Sequence, residues 1–191
     1  MRETAHGMRS TTDIETPAAA GIELAKRVLD GDARALARAI TCIENDGPAA
    51  ASLITTLYPR TGRAQVIGVT GPPGSGKSTL VDCLAAVIRK NGMTVGIVAV
   101  DPSSPFTGGA VLGDRVRMQR HSGDAGVFIR SMASRNGVGG LAPATRDVIR
   151  ALDAAGRDVV IVETVGVGQV ELQVVKVADT IVVVTVPGLA T

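Results

Sequence analysis

The segment at 71–78 carries the residues with the clearest chemical meaning in the sequence. It reads Gly71-Pro72-Pro73-Gly74-Ser75-Gly76-Lys77-Ser78 and is followed by Thr79. The pattern G-x-x-x-x-G-K-[ST] is matched at every fixed position, directly after an apolar run and at the start of a helical pattern. Glycines let the backbone curl so that successive N–H groups point into one concavity, which suits phosphate oxygens. The segment therefore predicts a nucleoside triphosphate site, against the alternative of a glycine-rich turn without a nucleotide.

Two side chains of this phosphate loop, defined as residues 71–78, have separate predicted roles. Lys77 would bridge the β- and γ-phosphates, and the Ser78 hydroxyl would be a ligand of Mg²⁺. The N-terminus of the following helix adds a partial positive charge. The residues expected to bind nucleotide are Gly71, Pro73, Gly74, Ser75, Gly76, Lys77, Ser78 and Thr79.

Two carboxylates stand at the ends of apolar runs, where ligands bind in open α/β sheets. Asp101 ends the run Thr94–Val100, and Glu163 ends the run Asp158–Val162. An NTPase usually keeps its Mg²⁺-orienting acid at such a place, so both are predicted site residues. Each has a structural alternative, because aspartate before proline forms turns and Glu163 could cap the next segment.

The stretch that begins at Glu163 resembles the D-x-x-G element of GTPases, with glutamate in place of the aspartate and Gly166 as the glycine. The N–H of Gly166 would then sense the γ-phosphate and couple it to the loop that follows. Asp114 precedes a helical pattern, so the residue could be either a helix N-cap or a site residue.

A second glycine pattern, Gly137-x-Gly139-x-x-Ala142, mimics a dinucleotide-binding fingerprint. It follows a polar stretch, Ser131 to Asn136, instead of a strand. We therefore interpret it as a flexible loop.

The elements that must position these residues alternate between β-branched runs and helical stretches from Gln65 onward. The predicted strands are Val66–Thr70, Thr94–Val100, Gly126–Arg130, Asp158–Val162 and Thr180–Val186. The predicted helices are Lys77–Lys90, Asp114–His121, Leu141–Ala155 and Val170–Val177. The runs are apolar on both faces, which is typical of a parallel sheet covered by helices on either side. We predict an α/β fold, a phosphate-loop NTPase with a mostly parallel sheet flanked by helices.

The segment before Gln65 is predicted to be helical. The first of its three short helical patterns is Pro17–Leu29. The second helix is N-capped by Asp32, and the third begins after Gly47-Pro48. The expected organisation is a disordered leader at 1–16, a helical N-terminal subdomain at 17–62 and the phosphate-loop domain at 63–191.

Composition excludes several classes of protein. The 191 residues are 45% hydrophobic and 20% charged, unlike a disordered or collagen-like chain. Aromatic residues make up 2% and the net charge is +2, which argues against nucleic-acid binding. The longest apolar runs are far shorter than the roughly 20 residues that span a bilayer. Two cysteines form no disulfide framework, so we expect a cytoplasmic protein without a membrane partner.

Together these residues resemble the MeaB/ArgK GTPases, bacterial relatives of the human methylmalonic aciduria type A protein. The matching segments are GVTGPPGSGKSTL (68–80), VAVDPSSPFTGGAVLGDRVRM (98–118), FIR (128–130) and IVETVGVGQVE (161–171), with GDARALARAITCIEN and LYPRTGR as the helical lead-in. The similarity runs from about residue 20 to 188.

The resemblance implies a GTPase that chaperones an adenosylcobalamin-dependent acyl-CoA mutase, usually methylmalonyl-CoA mutase, by gating cofactor loading and protecting the mutase. GTP is the implied substrate and Mg²⁺ the implied cofactor. The implied acidic metal surround is Asp101, Asp114 and Glu163, beside Ser78, which favours Asp114 as a site residue. The implied catalytic residues are Lys77, Asp101, Glu163 and Gly166. The alternatives are an ATP-dependent kinase or transport ATPase for basic amino acids, and a nucleotide-binding fragment without activity.

One departure from the family pattern concerns the guanine-reading element N-K-x-D, which follows the strand at 181–186 in family members. None of the three asparagines here is followed by lysine, and the sequence stops at Thr191. The chain is therefore expected to be truncated, without the base-reading element and the region through which full-length members form homodimers.

Overall fold

The central element of the fold is a parallel β-sheet. The structure is a computed structural model that describes residues 16–102, 119–121, 123–134, 141–164, 174 and 176–186. Its strands are β1 (Gln65–Thr70), β2 (Val95–Pro102), β3 (Val127–Ser134), β4 (Val159–Thr164) and β5 (Thr180–Val183). They lie in the order β3-β2-β4-β1-β5, and all neighbouring pairs are parallel. The predicted fold class is confirmed.

Helices lie on both sides of this sheet and before it in the chain. They are α1 (Pro17–Leu29), α2 (Ala33–Glu44), α3 (Ala50–Leu57), α4 (Lys77–Lys90) and α5 (Leu141–Ala154). The predicted N-cap of α2 is confirmed, since the Asp32 carboxylate accepts from the N–H groups of Arg34 and Ala35. Among the described helices, none combines the length and the apolar character needed to cross a membrane.

The two faces of the sheet contact different helices. One face contributes Val69, Ile97 and Ile161 to a core cluster shared with Val81 and Ala85 of α4. The other face contributes residues at the alternate strand positions, Val98, Val100, Val160 and Val162, to a larger cluster shared with α1, α2, α3 and α5. Because β2 and β4 are buried on both faces, their middle residues are apolar.

The connection between the N-terminal helices and β1 is held by one buried carboxylate. Asp153, near the end of α5, accepts hydrogen bonds from the successive backbone N–H groups of Gly62, Arg63 and Ala64. A buried carboxylate is stable only when it is hydrogen-bonded, and these amides satisfy it. The contact fixes the point at which the chain enters β1.

β3 is longer than the sequence predicts. The residues from Ser131 to Ser134, which include the buried Met132, continue the ladder with β2, and Ser131 is paired with Ala99. Backbone hydrogen bonds do not depend on side-chain polarity, so the edge strand extends past its apolar run. The prediction that a polar stretch, and not a strand, precedes Gly137 is therefore wrong. The predicted flexible loop at Gly137 and Gly139 lies outside the described residues.

Other predicted elements are described only in part. β4 extends two residues beyond the predicted Val162, and β5 ends at Val183 rather than Val186. From the predicted helix Asp114–His121 the structure describes a single 3₁₀ turn at Gln119–His121. The predicted leader apart from Thr16, and most of the predicted helix Val170–Val177, lie outside the described residues.

Candidate functional site: the phosphate loop

The phosphate loop joins β1 to α4. Gly76, at the N-cap of α4, has a φ of 91°, a left-handed conformation that suits glycine. Gly71 has a φ of 139°, and a Cβ on it would lie 2.1 Å from the carbonyl oxygen of Val184. The backbone of Gly71 therefore lies so close to that of Val184 that a larger residue would not fit. The loop then continues into α4.

Lys77 is the first residue of α4 and is buried, with 6% of its surface exposed. Its Nζ donates to the carbonyl oxygens of Gly71, at 2.7 Å, and Pro72, at 2.8 Å. The ammonium group is therefore held against the loop at the helix N-terminus. Both the lysine and the helix dipole make this end of α4 attractive to an anion.

Ser78 and Glu163 meet at the boundary between α4 and the sheet. The Ser78 hydroxyl donates to Glu163 Oε1 at 2.6 Å, and Glu163 is 2% exposed. The glutamate lies within β4, in register with Val69 of β1 and Ala99 of β2. The structure thus brings together two predicted site residues that are 85 positions apart.

The chemistry of this pair fits Mg²⁺. A hydroxyl and a carboxylate are the hard oxygen ligands that the ion prefers, and in nucleotide sites it takes one or two of them together with phosphate and water. Within the described residues there is no group of three or more His, Cys, Asp or Glu that could hold a metal alone. Ser78 and Glu163 are accordingly suited to an ion that a nucleotide brings with it.

Ser75 provides a further polar group in the loop. Its hydroxyl oxygen is buried, and it has no hydrogen-bond partner in the described part of the chain. Such a group costs free energy unless a partner reaches it. Among the other predicted nucleotide-binding residues, Pro73, Gly74 and Thr79 are exposed.

The remaining predicted site residues are placed less completely. The backbone of Asp101 lies in β2 opposite Ala133, one position beyond the pair formed by Val100 and Thr164. Asp101 therefore lies at the same end of the sheet as Glu163. Asp114 and Gly166 lie outside the described residues, so their roles stay predictions.

Sequence reasoning missed a buried acid beside the loop. Asp82 of α4 is buried, and His121 Nε2 lies 3.1 Å from its Oδ1. Arg120 Nη1 lies 3.4 Å from its other oxygen. These contacts attach the turn at 119–121 to the helix that begins with Lys77. No local pattern signals this contact, because it joins residues 39 positions apart.

A family model and several relatives match this chain. The model described as methylmalonyl Co-A mutase-associated GTPase MeaB matches residues 36–190. A protein of Pyrococcus abyssi, whose name describes it provisionally as a GTPase, is 63% identical over 87% of this chain and 52% of its own length. GTPase ArgK of Escherichia coli is 39% identical over 87% of this chain and 51% of its own length.

One similar solved structure is a crystal structure of a LAO/AO transport system kinase. It is 32% identical to this chain, and the two superpose with a TM-score of 0.70 over 87% of this chain and 50% of that one. The chain spans about half the length of the curated relatives it matches.

Proposed function

The chain belongs to the family of the methylmalonyl-CoA mutase-associated GTPase MeaB, and from this premise we propose that it binds and hydrolyses GTP at the phosphate loop. We further propose that it acts as a chaperone for an adenosylcobalamin-dependent acyl-CoA mutase. The observation that carries the nucleotide site is the 2.6 Å contact between Ser78 and Glu163, beside the buried ammonium of Lys77.

The loop residues would bind the triphosphate through positive charge and oriented donors. Lys77 exchanges carbonyl acceptors of the loop for phosphate oxygens, and the N–H groups at the start of α4 add to its attraction. The buried Ser75 hydroxyl gains the hydrogen-bond partner that it lacks among the described residues. Each of these groups binds or orients the phosphates.

Ser78 and Glu163 would hold Mg²⁺, with Asp101 and Asp114 as the further acidic residues around it. When bound, the ion neutralises charge that develops on the phosphates. The backbone of Glu163 is paired with two neighbouring strands and its side chain is buried, so the carboxylate has little freedom to move. The chain thereby orients the ion and positions the reacting phosphate.

A nucleotide titration tests the first part of this proposal. Calorimetry with GTP, with ATP and with GTP plus a chelator separates the candidates, and phosphate release measures hydrolysis. We expect Mg²⁺-dependent binding and slow hydrolysis of GTP. Selective use of ATP would instead favour the kinase or transport function that the name of the similar crystal structure suggests.

The chaperone role is tested with a purified methylmalonyl-CoA mutase. The name of the family associates its members with that enzyme, which supports the choice of partner. We expect GTP to change the affinity of the chain for the mutase, and the mutase to change the affinity for GTP by the same factor, since coupling between binding sites is reciprocal. We also expect the loaded chain to lengthen the active lifetime of the mutase. If none of these quantities changes over a wide concentration range, the mutase is not the partner.

A further inference from the structure

Two buried threonine hydroxyls meet where the phosphate loop leaves the sheet. Thr70 ends β1 and Thr164 ends β4, and these strands are neighbours. Thr164 Oγ1 donates to Thr70 Oγ1 at 3.1 Å. Thr70 is 8% exposed and Thr164 is 1% exposed. The pair therefore lies in the interior, at the edge of the sheet where the proposed nucleotide site begins.

The pair lies on the opposite face of the sheet from Glu163. Successive side chains of a strand point to opposite faces. Ile161 contributes to the cluster with α4, and Glu163 reaches Ser78 on that same face. Val162 contributes to the cluster on the other face, so Thr164 lies there as well. The two hydroxyls are thus directly behind the proposed Mg²⁺ ligands, and each is adjacent in the chain to a site element.

Within the residues that the structure describes, the hydroxyl of Thr164 has one other acceptor, the carbonyl oxygen of Val69, at 3.5 Å. That distance is long for a hydrogen bond between oxygens, so the 3.1 Å contact with Thr70 is the stronger of the two. On the β2 side, Thr164 is in register with Val100, which is fully buried and has no polar side-chain atom. On the β5 side, the carbonyl oxygen of Thr70 accepts from the N–H of Val184 at 2.8 Å. The start of the loop is therefore held by a backbone contact on one side and by the hydroxyl pair on the other.

We propose that the hydroxyl pair of Thr70 and Thr164 sets the position of the phosphate loop relative to Glu163, which makes Thr164 a positioning residue for hydrolysis. This inference rests on the proposed GTPase function. Thr164 directly follows Glu163, and Thr70 directly precedes Gly71. A displacement of about 1 Å between reacting groups can cost about 100-fold in rate. Loss of the pair should therefore lower kcat while the phosphates are still bound.

The first test compares isosteric variants by their kinetics. Thr164→Val should lower kcat for GTP about tenfold, the scale of one lost hydrogen bond, with KM within about twofold of the parent. Thr164→Ser keeps the hydroxyl and should restore kcat. The matched control is Thr145→Val, which removes a buried α5 hydroxyl without a hydrogen-bond partner among the described residues and should leave kcat unchanged.

A double substitution tests whether the two hydroxyls act as one unit. Thr70→Val should lower kcat as Thr164→Val does, and the double variant should lose no more than either single variant. Thr70→Val also replaces the first variant if that one does not fold. Losses that multiply in the double variant would overturn the pairing.

Amide hydrogen exchange without nucleotide separates this inference from the GTPase proposal. Residues 71–79 should exchange faster in Thr164→Val than in the parent, and at the parental rate in Thr145→Val. Unchanged exchange in Thr164→Val overturns the positioning role whatever the activity. A parent that does not hydrolyse GTP overturns the proposed function, and the exchange data still decide the role of the pair.

Discussion

Lys77 and Glu163 are buried charged residues of opposite sign on the same side of the sheet, and each is stabilised by a different kind of partner. The lysine donates to two loop carbonyls, whereas the glutamate accepts from a hydroxyl. Burying an ionised group is unfavourable unless hydrogen bonds compensate. Removing either charge should therefore affect ligand binding more than folding.

Lys77→Ala should abolish tight triphosphate binding while the fold is kept. The charge-assisted bonds to phosphate oxygens are lost, which should weaken the affinity for GTP by roughly 100-fold or more. Calorimetry measures the affinity, and circular dichroism checks the fold. Lys90→Ala, at the exposed far end of α4, is the matched control and should bind as the parent does. Equal GTP affinity in the parent and Lys77→Ala would contradict the assignment of the loop.

Glu163→Gln should remove the dependence of binding on Mg²⁺. The amide oxygen can still accept from Ser78, but the negative charge that attracts the ion is lost. We expect GTP affinity in chelator to stay close to that of the parent, and the hydrolysis rate with Mg²⁺ to fall by about 10- to 100-fold. Glu23→Gln, on the exposed surface of α1, is the control. An undiminished response to Mg²⁺ would place the ion elsewhere.

The sequence predicts the site residues that lie in one continuous segment far better than those that meet through the fold. Residues 71–78 are recognisable because their spacing alone fits phosphate. The contacts of Thr70 with Thr164 and of Asp82 with His121 join distant segments, so no local pattern reveals them. Glu163 was predicted because it ends an apolar run at a place where acids bind Mg²⁺.

Among the elements, α5 has two roles that are both visible in its contacts. Its apolar residues Val148 and Leu152 belong to the core cluster shared with the N-terminal helices. Its Asp153 holds the residues that lead into β1. The helix thus connects the N-terminal helical segment to the strand that carries the phosphate loop.

Asp153→Asn should destabilise the whole protein. Both carboxylate oxygens accept from backbone N–H groups, so an amide placed there must turn its own N–H₂ toward a donor. We expect a loss of about 1–3 kcal/mol in the free energy of unfolding by urea. Asp147→Asn, on the same helix in a half-exposed pair with Arg150, should cost less than about 1 kcal/mol. If the two variants lose equal stability, the amide contacts of Asp153 are not important.

The elements were predictable where their side chains matched their environment. Lys77–Lys90 and Pro17–Leu29 have the predicted bounds, because apolar spacing and end residues agree there. β3 was predicted too short, because its ladder with β2 continues through Ser131 and Ser134, whose polar side chains do not prevent backbone pairing. The residue at which a strand ends depends on its pairing with the neighbouring strand. That neighbour lies elsewhere in the chain, so the local sequence does not show where the strand ends.

At the scale of the whole molecule, ion pairs and hydrogen bonds hold the connections between elements. The Arg89 guanidinium lowers the pKa of Asp124, and the N–H of Gly126 lowers it further. Thr94 lowers the pKa of Asp158 through its backbone and side-chain donors. A Cβ on Gly126 would lie 2.0 Å from Arg89 Cζ, so a larger residue there would displace the guanidinium from its present position.

These pKa shifts predict how stability depends on pH. Carboxylates with a lowered pKa in the folded state stabilise it above their unfolded pKa, and this stability is lost as the pH falls through the folded value. The usual value is 3.8, so urea midpoints should be level from pH 7 to about pH 5 and fall below about pH 4. In Asp124→Asn the urea midpoint should fall less steeply below about pH 4. Asp30→Asn, at an exposed aspartate outside these contacts, should leave the steepness unchanged. A decline of the same steepness in the Asp124 variant would contradict the role of this ion pair.

The strand order also determines when the phosphate loop can take shape during synthesis. Within the described sheet, β1 pairs with β4 and β5, and Gln65 is in register with Val159. At ribosomal speeds of about 5–20 residues per second, β1 waits roughly 5–20 s for its first partner strand. A nascent chain that ends before β4 contains every residue of the loop and yet lacks both described partner strands of β1. Nucleotide capture should therefore begin only after Thr164 has left the ribosome, so this contiguous sequence motif depends on a strand that is synthesised much later.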